Sequence, residues 1–351
     1  MSRNYAREAI SRIGGYVPGE QPRGLKRLVK LNTNENPYPP SPKVEEALKS
    51  FDYRRLRLYP DPCATELRDV AASVYGVKPG QIICGNGSDE LLTIALRTFV
   101  GEGESYAFTE PSYSLYPVLS DIQGASPVPI PLDDNFDIPE NAAELAGDAR
   151  LIMLARPNAP TGNCPDDGRL RELCRKAKGV VWVDEAYADF AGSSFIGEIS
   201  NYPNVIVSRT FSKSFSLAGV RIGLAFAPEG LVNEMNKVRD SYNIDFLAQA
   251  IAKAALEDVG YMRANAARIC DTRDWLGGEL RKLGCRVLPS QANFIFVEPR
   301  KPAAEVFAAL RQDGFIVRYF NLPRISQFIR ITIGTREDME AFLEEMKKVD
   351  K

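Results

Sequence analysis

The sequence predicts an α/β chain with a large domain on a mostly parallel sheet and a smaller α+β domain, and three observations predict it. From Lys43 onward, helical patterns alternate with short apolar runs. A complete strand, helix, strand unit lies between residues 151 and 183. After about residue 228 the texture changes to long helical patterns followed by a few strands. At 351 residues the chain is also long for one core.

Residues 1–40 read as an arm packed against something larger. Gly14, Gly15, Pro18, Gly19, Pro22 and Gly24 interrupt any helix there, and Pro37, Pro39, Pro40 and Pro42 end it. The large domain is expected over 41–245. Its clearest strands are Leu151–Ala155, Val180–Val183, Val205–Ser208 and Ile222–Phe226, each nearly all apolar, as central strands covered on both faces should be. The amphipathic stretch Asp166–Lys178 is long enough for a right-handed crossover between the first two. The small domain, 246–351, should hold a strand at Asn293–Val297, a helix at Ala303–Asp313, and a strand pair near Phe315–Val317 and Phe328–Ile333.

Composition excludes several functions. A net charge of -2 and a pI near 5.6 provide no global positive field, so neither nucleic acid nor an anionic membrane is expected as a partner. The basic cluster Arg23, Lys26, Arg27 and Lys30 reads as solvated charge in the arm. Six cysteines, at 63, 84, 164, 174, 270 and 285, form no Cys-x-x-Cys pair, and no apolar secretory segment or 18-residue apolar run occurs; a cytoplasmic location is expected. The chain contains no histidine. Ser-His-Asp and Cys-His hydrolases, histidine-liganded zinc and histidine bases are thereby excluded, and no metal site is expected. Proton transfer must use Lys, Asp, Glu, Tyr or Cys.

The most informative segment is Ser208-Arg209-Thr210-Phe211-Ser212-Lys213-Ser214-Phe215-Ser216, which continues to Arg221 between two predicted strands. Hydroxyls and arginine beside a lysine suit a phosphorylated ligand, and neighbouring cations depress the lysine toward nucleophilic range; a polar loop with a solvated lysine has the same composition. Asp184 ends a buried strand, where open α/β sheets place ligands, and its carboxylate can hold a protonated ring nitrogen, bind a metal or cap a helix. Gly85-Asn86-Gly87-Ser88-Asp89-Glu90 is a glycine turn opening a helix, either an anion site or a plain N-cap at Ser88. Pro157-Asn158-Ala159-Pro160-Thr161-Gly162 is, by composition, a turn.

Together these segments, with Tyr16-Val17-Pro18-Gly19, Leu31 to Pro37 (LNTNENP), Tyr59-Pro60-Asp61, Pro111-Ser112-Tyr113, Ala292-Asn293-Phe294 and Arg330 to Thr335, resemble the fold-type I, pyridoxal-phosphate-dependent aminotransferases of classes I and II. The resemblance is greatest to their histidinol-phosphate branch and covers nearly the whole chain. It implies that Lys213 carries pyridoxal 5'-phosphate as a Schiff base, Asp184 pairs with the pyridine nitrogen, Tyr187 bonds the ring hydroxyl and Tyr113 stacks on the ring. The phosphate would be held by Gly87, Ser88 and Asp89, by Thr210 and Ser212, and by Arg221. Tyr59 would reach it from the partner of a homodimer with shared active sites, and the resemblance implies that the arm packs on the small domain and on that partner subunit. Where the family keeps an asparagine directly before Pro-Thr-Gly this chain has Ala159, so either Asn158 substitutes or Tyr187 holds the hydroxyl alone. On the substrate side, Arg330 would bind carboxylate or phosphate, Arg318 and Tyr16 would add phosphate contacts, and Asn243 would line the pocket beside Tyr242.

The implied reaction is transamination in histidine biosynthesis, with an amino donor and 2-oxoglutarate as small-molecule substrates. Aromatic or broad-specificity transamination and threonine-phosphate decarboxylation are the alternatives. An effector-sensing domain of the same fold would follow a DNA-binding region, for which no residues remain.

Overall fold

The computed structural model describes residues 5–21 and 28–351, so Arg23, Lys26 and Arg27 of the basic cluster lie outside the described residues. Thirteen strands occur among the described residues: β1 (Val29–Lys30), β2 (Ile82–Gly85), β3 (Ser105–Glu110), β4 (Ser126–Pro131), β5 (Leu151–Ala155), β6 (Val180–Asp184), β7 (Val205–Thr210), β8 (Gly223–Phe226), β9 (Arg286–Val287), β10 (Phe294–Glu298), β11 (Phe315–Ile316), β12 (Arg318–Tyr319) and β13 (Ile329–Thr332). A seven-stranded sheet runs in the order β2-β8-β7-β6-β5-β3-β4, and a four-stranded sheet in the order β12-β13-β10-β9.

Every residue of β5, β6 and β7 is buried, because helices cover both faces of the large sheet. Between β5 and β6 the helix Asp167–Lys176 is the predicted crossover, and the Asp166 carboxylate caps it by accepting the Arg169 N–H at 2.9 Å. The strands β4, β3, β5, β6 and β7 are parallel, and β8 runs antiparallel to both of its neighbours. The antiparallel β8 departs from the parallel strand that its apolar run suggested. The Lys213 loop joining it to β7 contains no crossover helix, and a parallel return needs one.

Strand β4 escapes sequence reading because Pro127, Pro129 and Pro131 break the usual strand signal. It is tolerated at the sheet edge, where alternate N–H groups pair with nothing. The expected pairing of the 315–317 and 328–333 strands is also corrected. β11 pairs in parallel with β1 of the arm, while β13 lies between β12 and β10.

The arm therefore extends the C-terminal part of the chain by main-chain hydrogen bonding. Ion pairing of Arg311 with Glu20, at 2.6 Å, adds a second tie. A short helix, Glu8–Arg12, precedes the Gly14-Gly15 break. No helix among the described residues is long and apolar enough to cross a membrane.

Candidate active site

The carboxyl ends of the parallel strands β3, β5, β6 and β7 open onto one cavity of ≈ 680 Å³. Asp184, the last residue of β6, is 5% exposed. It accepts from Tyr116 Oη, Ser208 Oγ and the Ala186 N–H, each at 3.2 Å, and Trp182 Nε1 fixes the Ser208 hydroxyl at 3.0 Å. Burial raises the Asp184 pKa to about 6, with the Tyr116 bond opposing. No cation among the described residues neutralises this carboxylate by an ion pair, as a protonated ring nitrogen would.

Lys213 lies in the loop after β7. Its Nζ donates to the Thr33 main-chain oxygen at 3.0 Å and stands 5.8 Å from the Tyr187 ring centroid. Burial, with Arg330 as the next cause, depresses its pKa to about 8. Asn36 Nδ2 clamps the loop by donating to the main-chain oxygens of Lys213 and Ser214, at 3.0 and 3.1 Å. From below, Ser214 Oγ donates to Asp189 Oδ2 at 2.5 Å, and Asp189 pairs with the buried Arg209 at 2.7 Å.

At one end of the cavity stands the helix Ser88–Phe99, whose N-cap Gly87 offers no side-chain cap. Its free N–H groups and dipole favour an anion. Arg221 Nη1 donates to Ser212 Oγ at 3.2 Å, Thr210 Oγ1 donates to Ser212 Oγ at 3.0 Å, and Arg221 reaches Asp89 at 3.5 Å. Gly87 has φ +78°, and a Cβ there would fall 2.4 Å from Arg221 Nη2, so close approach of the guanidinium requires glycine. Gly223 is equally constrained, its Cβ position lying 2.6 Å from Ser88 N. Arg221 itself holds φ +58°, an uncommon conformation for a side-chain-bearing residue.

The opposite wall carries Arg330 and Arg318. Arg330 Nη2 donates to the Asn32 main-chain oxygen at 2.7 Å, and its buried Nε has no partner. Arg318 donates to the Val17 oxygen at 3.3 Å. Neither forms an ion pair with a carboxylate among the described residues. Burial holds the Arg330 pKa below the usual guanidinium value, and the adjacent Arg318 lowers it further after partial relief by Tyr187. Such unpaired cations in a cavity attract carboxylate or phosphate. Tyr16 meets Tyr113 edge-on at 5.9 Å, and Tyr113 Oη donates to Asp89 Oδ1 at 3.2 Å.

The cavity thus gathers Lys213, Asp184 and Tyr187, then Ser88, Asp89, Tyr113, Thr210, Ser212 and Arg221, and on the far wall Tyr16, Arg318 and Arg330. Two expected residues face elsewhere. Asn158 spends its carboxamide on the loop wall, accepting from Ser112 Oγ at 2.7 Å and donating to Pro111 O and Thr161 Oγ1 at 3.0 and 2.8 Å. The Ala159 methyl lines the cavity instead, so Asn158 does not substitute for the family amide. Asn243 lies in a separate pocket, where it donates to Cys84 O at 3.1 Å and to Glu90 Oε2 at 2.8 Å. Glu90 in turn accepts the Asn86 N–H, so Asn243 buttresses the glycine turn from behind. Tyr59 is 77% exposed and stacked on Tyr242 at 4.4 Å, outside this cavity.

The residue roles left unread in LNTNENP are those of Asn32, Thr33, Asn34 and Asn36, which form a wall of the site. Three asparagines in the five residues Asn32 to Asn36, closed by Pro37, are the signal, since such polarity beside the apolar Leu31 demands buried partners.

A half-buried lysine and a buried carboxylate at the ends of parallel strands, with a helix N-terminus for an anion, define a site for a phosphorylated carbonyl cofactor. The sequence profile of aminotransferase class I and II matches residues 26–346, and the chain belongs to that family. Within it, the chain is similar to histidinol-phosphate aminotransferases. That of Syntrophotalea carbinolica is 45% identical over 341 residues, 97% of this chain and 98% of the relative. That of Geotalea uraniireducens is 44% identical over 344 residues, 98% of this chain and 99% of the relative. Among solved structures, the histidinol-phosphate aminotransferase of Sinorhizobium meliloti in complex with pyridoxal-5'-phosphate superposes with a TM-score of 0.90 at 26% identity, covering 99% of this chain and 98% of that one. Thermus thermophilus aspartate aminotransferase with maleate, at 20% identity and a TM-score of 0.79, shares the fold.

Proposed function

We propose that this chain is a pyridoxal-phosphate-dependent aminotransferase that moves the amino group of L-histidinol phosphate to 2-oxoglutarate, giving imidazole-acetol phosphate and L-glutamate in histidine biosynthesis. The observation that carries the reading is Lys213, half-buried and with no ion-pair partner among the described residues, in one cavity with Asp184 and with Arg330, whose Nε is buried without a partner among those residues. The names of the relatives support the substrate.

The residues present fit the cofactor. Lys213 would hold it covalently, Asp184 would face its ring nitrogen, and the Ser88 helix terminus, Thr210, Ser212 and Arg221 would take its phosphate. When bound, pyridoxal phosphate supplies a carbonyl that condenses with amines and a protonated ring that takes up the electron pair of a breaking C–H bond. Lys213 Nζ, depressed to about 8, is the group that accepts and returns the substrate proton, which accords with a chain that has no histidine. Asp184 stays ionised while a cation faces it, because opposite charge counteracts the effect of burial. Arg330 takes the carboxylate of glutamate or 2-oxoglutarate, or the phosphate of the other substrate, and Arg318 with Tyr16 adds to the phosphate contacts.

The enzyme acts as a homodimer with shared sites, in which Tyr59 reaches the partner's cofactor phosphate. The exposed run Tyr53, Leu56, Leu58 and Tyr59, continued by Tyr242, supports such a contact. Six free thiols accord with a cytoplasmic location. The division into an arm, a domain over 41–245 and a domain over 246–351 accords with the separation of the seven-stranded sheet from the four-stranded one.

The test is a half-reaction screen, following the visible band of the cofactor-loaded protein on mixing with histidinol phosphate, phenylalanine, tyrosine, aspartate or glutamate. Loss of the band with histidinol phosphate and with glutamate, and coupled formation of glutamate, is expected. Preference for phenylalanine or tyrosine would replace the substrate assignment, and release of carbon dioxide would replace the reaction.

A further inference from the structure

Asn34 is 1% exposed and holds φ +55°, a left-handed conformation that Gly, Asn and Asp enter at least cost. Each of its polar groups is used. Its backbone N–H donates to Thr332 Oγ1 at 3.0 Å, and its backbone oxygen accepts from Asn293 Nδ2 at 3.0 Å. In the side chain, Oδ1 accepts from Thr332 Oγ1 at 3.0 Å and Nδ2 donates to Tyr187 Oη at 2.9 Å.

The Thr332 hydroxyl settles which way this amide points. It is buried and takes the Asn34 N–H on a lone pair, and its own proton needs an acceptor. Asn34 Oδ1 is that acceptor, which turns Nδ2 toward Tyr187. A phenol oxygen that accepts from an amide cannot donate to it. The proton of Tyr187 must point elsewhere, and Ala159, Ala292 and Phe294 make the ring's other surroundings apolar. The remaining direction is the cavity, which Tyr187 lines.

We infer that Asn34 is a positioning residue that makes the Tyr187 hydroxyl a hydrogen-bond donor into the cavity, toward the ring oxygen of the cofactor, and strengthens it in that role. The inference rests on the pyridoxal-phosphate reading above. Donation from Asn34 polarises the phenol, so its proton is given more strongly to an anionic oxygen. Among charged groups, Arg330, Lys213, Asp184 and Asp89 act on Tyr187, and none of them bonds its hydroxyl.

The test is a pH titration of the visible band of the holoenzyme. Asn34→Gly removes the amide and tolerates the positive φ. Asn34→Asp keeps the size, the backbone conformation and the Thr332 contact, but sets an acceptor against Tyr187 and captures its proton. With a weaker donor on the ring oxygen, the proton of the lysine–cofactor linkage is held more tightly. The midpoint is expected to rise by about half a unit to one unit in both variants. In a Tyr187→Phe background neither substitution should move it further. An unchanged midpoint in both variants overturns the inference, as does a shift that persists undiminished without the Tyr187 hydroxyl, since Asn34 would then act through the fold alone. Should Asn34→Gly not fold, the near-isosteric Asn34→Asp decides the matter. A parent protein that shows no visible band with pyridoxal phosphate would instead remove the cofactor reading itself, and the inference with it.

Discussion

Lys213 Nζ donates to the main-chain oxygen of Thr33 at 3.0 Å, across 180 positions of sequence. A carbonyl holds the lysine in place without adding the negative charge that would stabilise its ammonium form as an ion pair does. Burial therefore prevails and the lysine titrates near 8.

Lys213→Ala should abolish glutamate formation and the visible band while far-ultraviolet circular dichroism stays unchanged. A stability effect follows for Lys213→Met in the cofactor-free protein. The folded pKa, about 8, lies below the ordinary 10.5, so the unfolded chain binds more protons between these values and stability rises with pH across the window. Below pH 8 the half-buried lysine costs the fold about 3 kcal/mol. The methionine variant should melt higher than the parent at pH 7, with an advantage that shrinks toward pH 10.5; calorimetry across that range checks it.

For Asp184→Asn the sign is opposite. The folded carboxyl titrates at about 6 against an ordinary 3.8, so the native state binds more protons in that window and loses stability as pH rises through it. The cofactor-free variant should gain roughly 2–3 kcal/mol at pH 7 and nothing below pH 3.8. Its transamination rate should nonetheless fall by about 10²-fold or more with pyridoxal phosphate still bound, because the ring loses its proton and keeps its anchors. Single-turnover rates and urea melts at pH 4 and 7 measure both.

Gly223→Ala should loosen the phosphate end. The new methyl would meet Ser88 N at 2.6 Å and the Gly87 carbonyl carbon at 2.8 Å, backbone atoms that cannot swing aside. The Ser88 helix terminus must move away from Arg221. A drop of about tenfold or more in affinity for pyridoxal phosphate is expected, read by fluorescence titration, from an overpacking penalty of about 1–3 kcal/mol.

Arg330→Gln should raise KM for 2-oxoglutarate and for histidinol phosphate alike, by about 10- to 100-fold, the range expected for a lost charge-assisted hydrogen bond. Arg318→Gln should raise it for the phosphorylated substrate alone. Steady-state kinetics with each substrate varied in turn separates the two residues.

Much of the fold was legible in local pattern. β5, β6 and β7 stood out as apolar runs because strands buried on both faces have no polar side to show. β4 was hidden by its prolines, and β1, two residues long, is a strand only because β11 pairs with it. At the site, Lys213 and Asp184 were legible as chemistry-bearing residues at strand ends. Asn158 was misplaced because nothing in Pro-Asn-Ala-Pro says which way a carboxamide turns, and its partners Ser112 and Pro111 lie more than forty positions away.

The sequence by itself determined the strand and helix runs, the hydroxyl-rich loop around Lys213, and the absence of any histidine base, because periodicity and composition are properties of contiguous residues. Only the tertiary structure decided that β8 runs antiparallel, that Asn158 and Asn243 face away from the cavity, and that the arm residues Asn32 to Asn36 bind Arg330, Lys213 and Tyr187. Side-chain direction and contacts between distant segments follow from which buried polar groups find one another as the layers pack, and a buried donor or acceptor left unpaired costs too much for chance to arrange them.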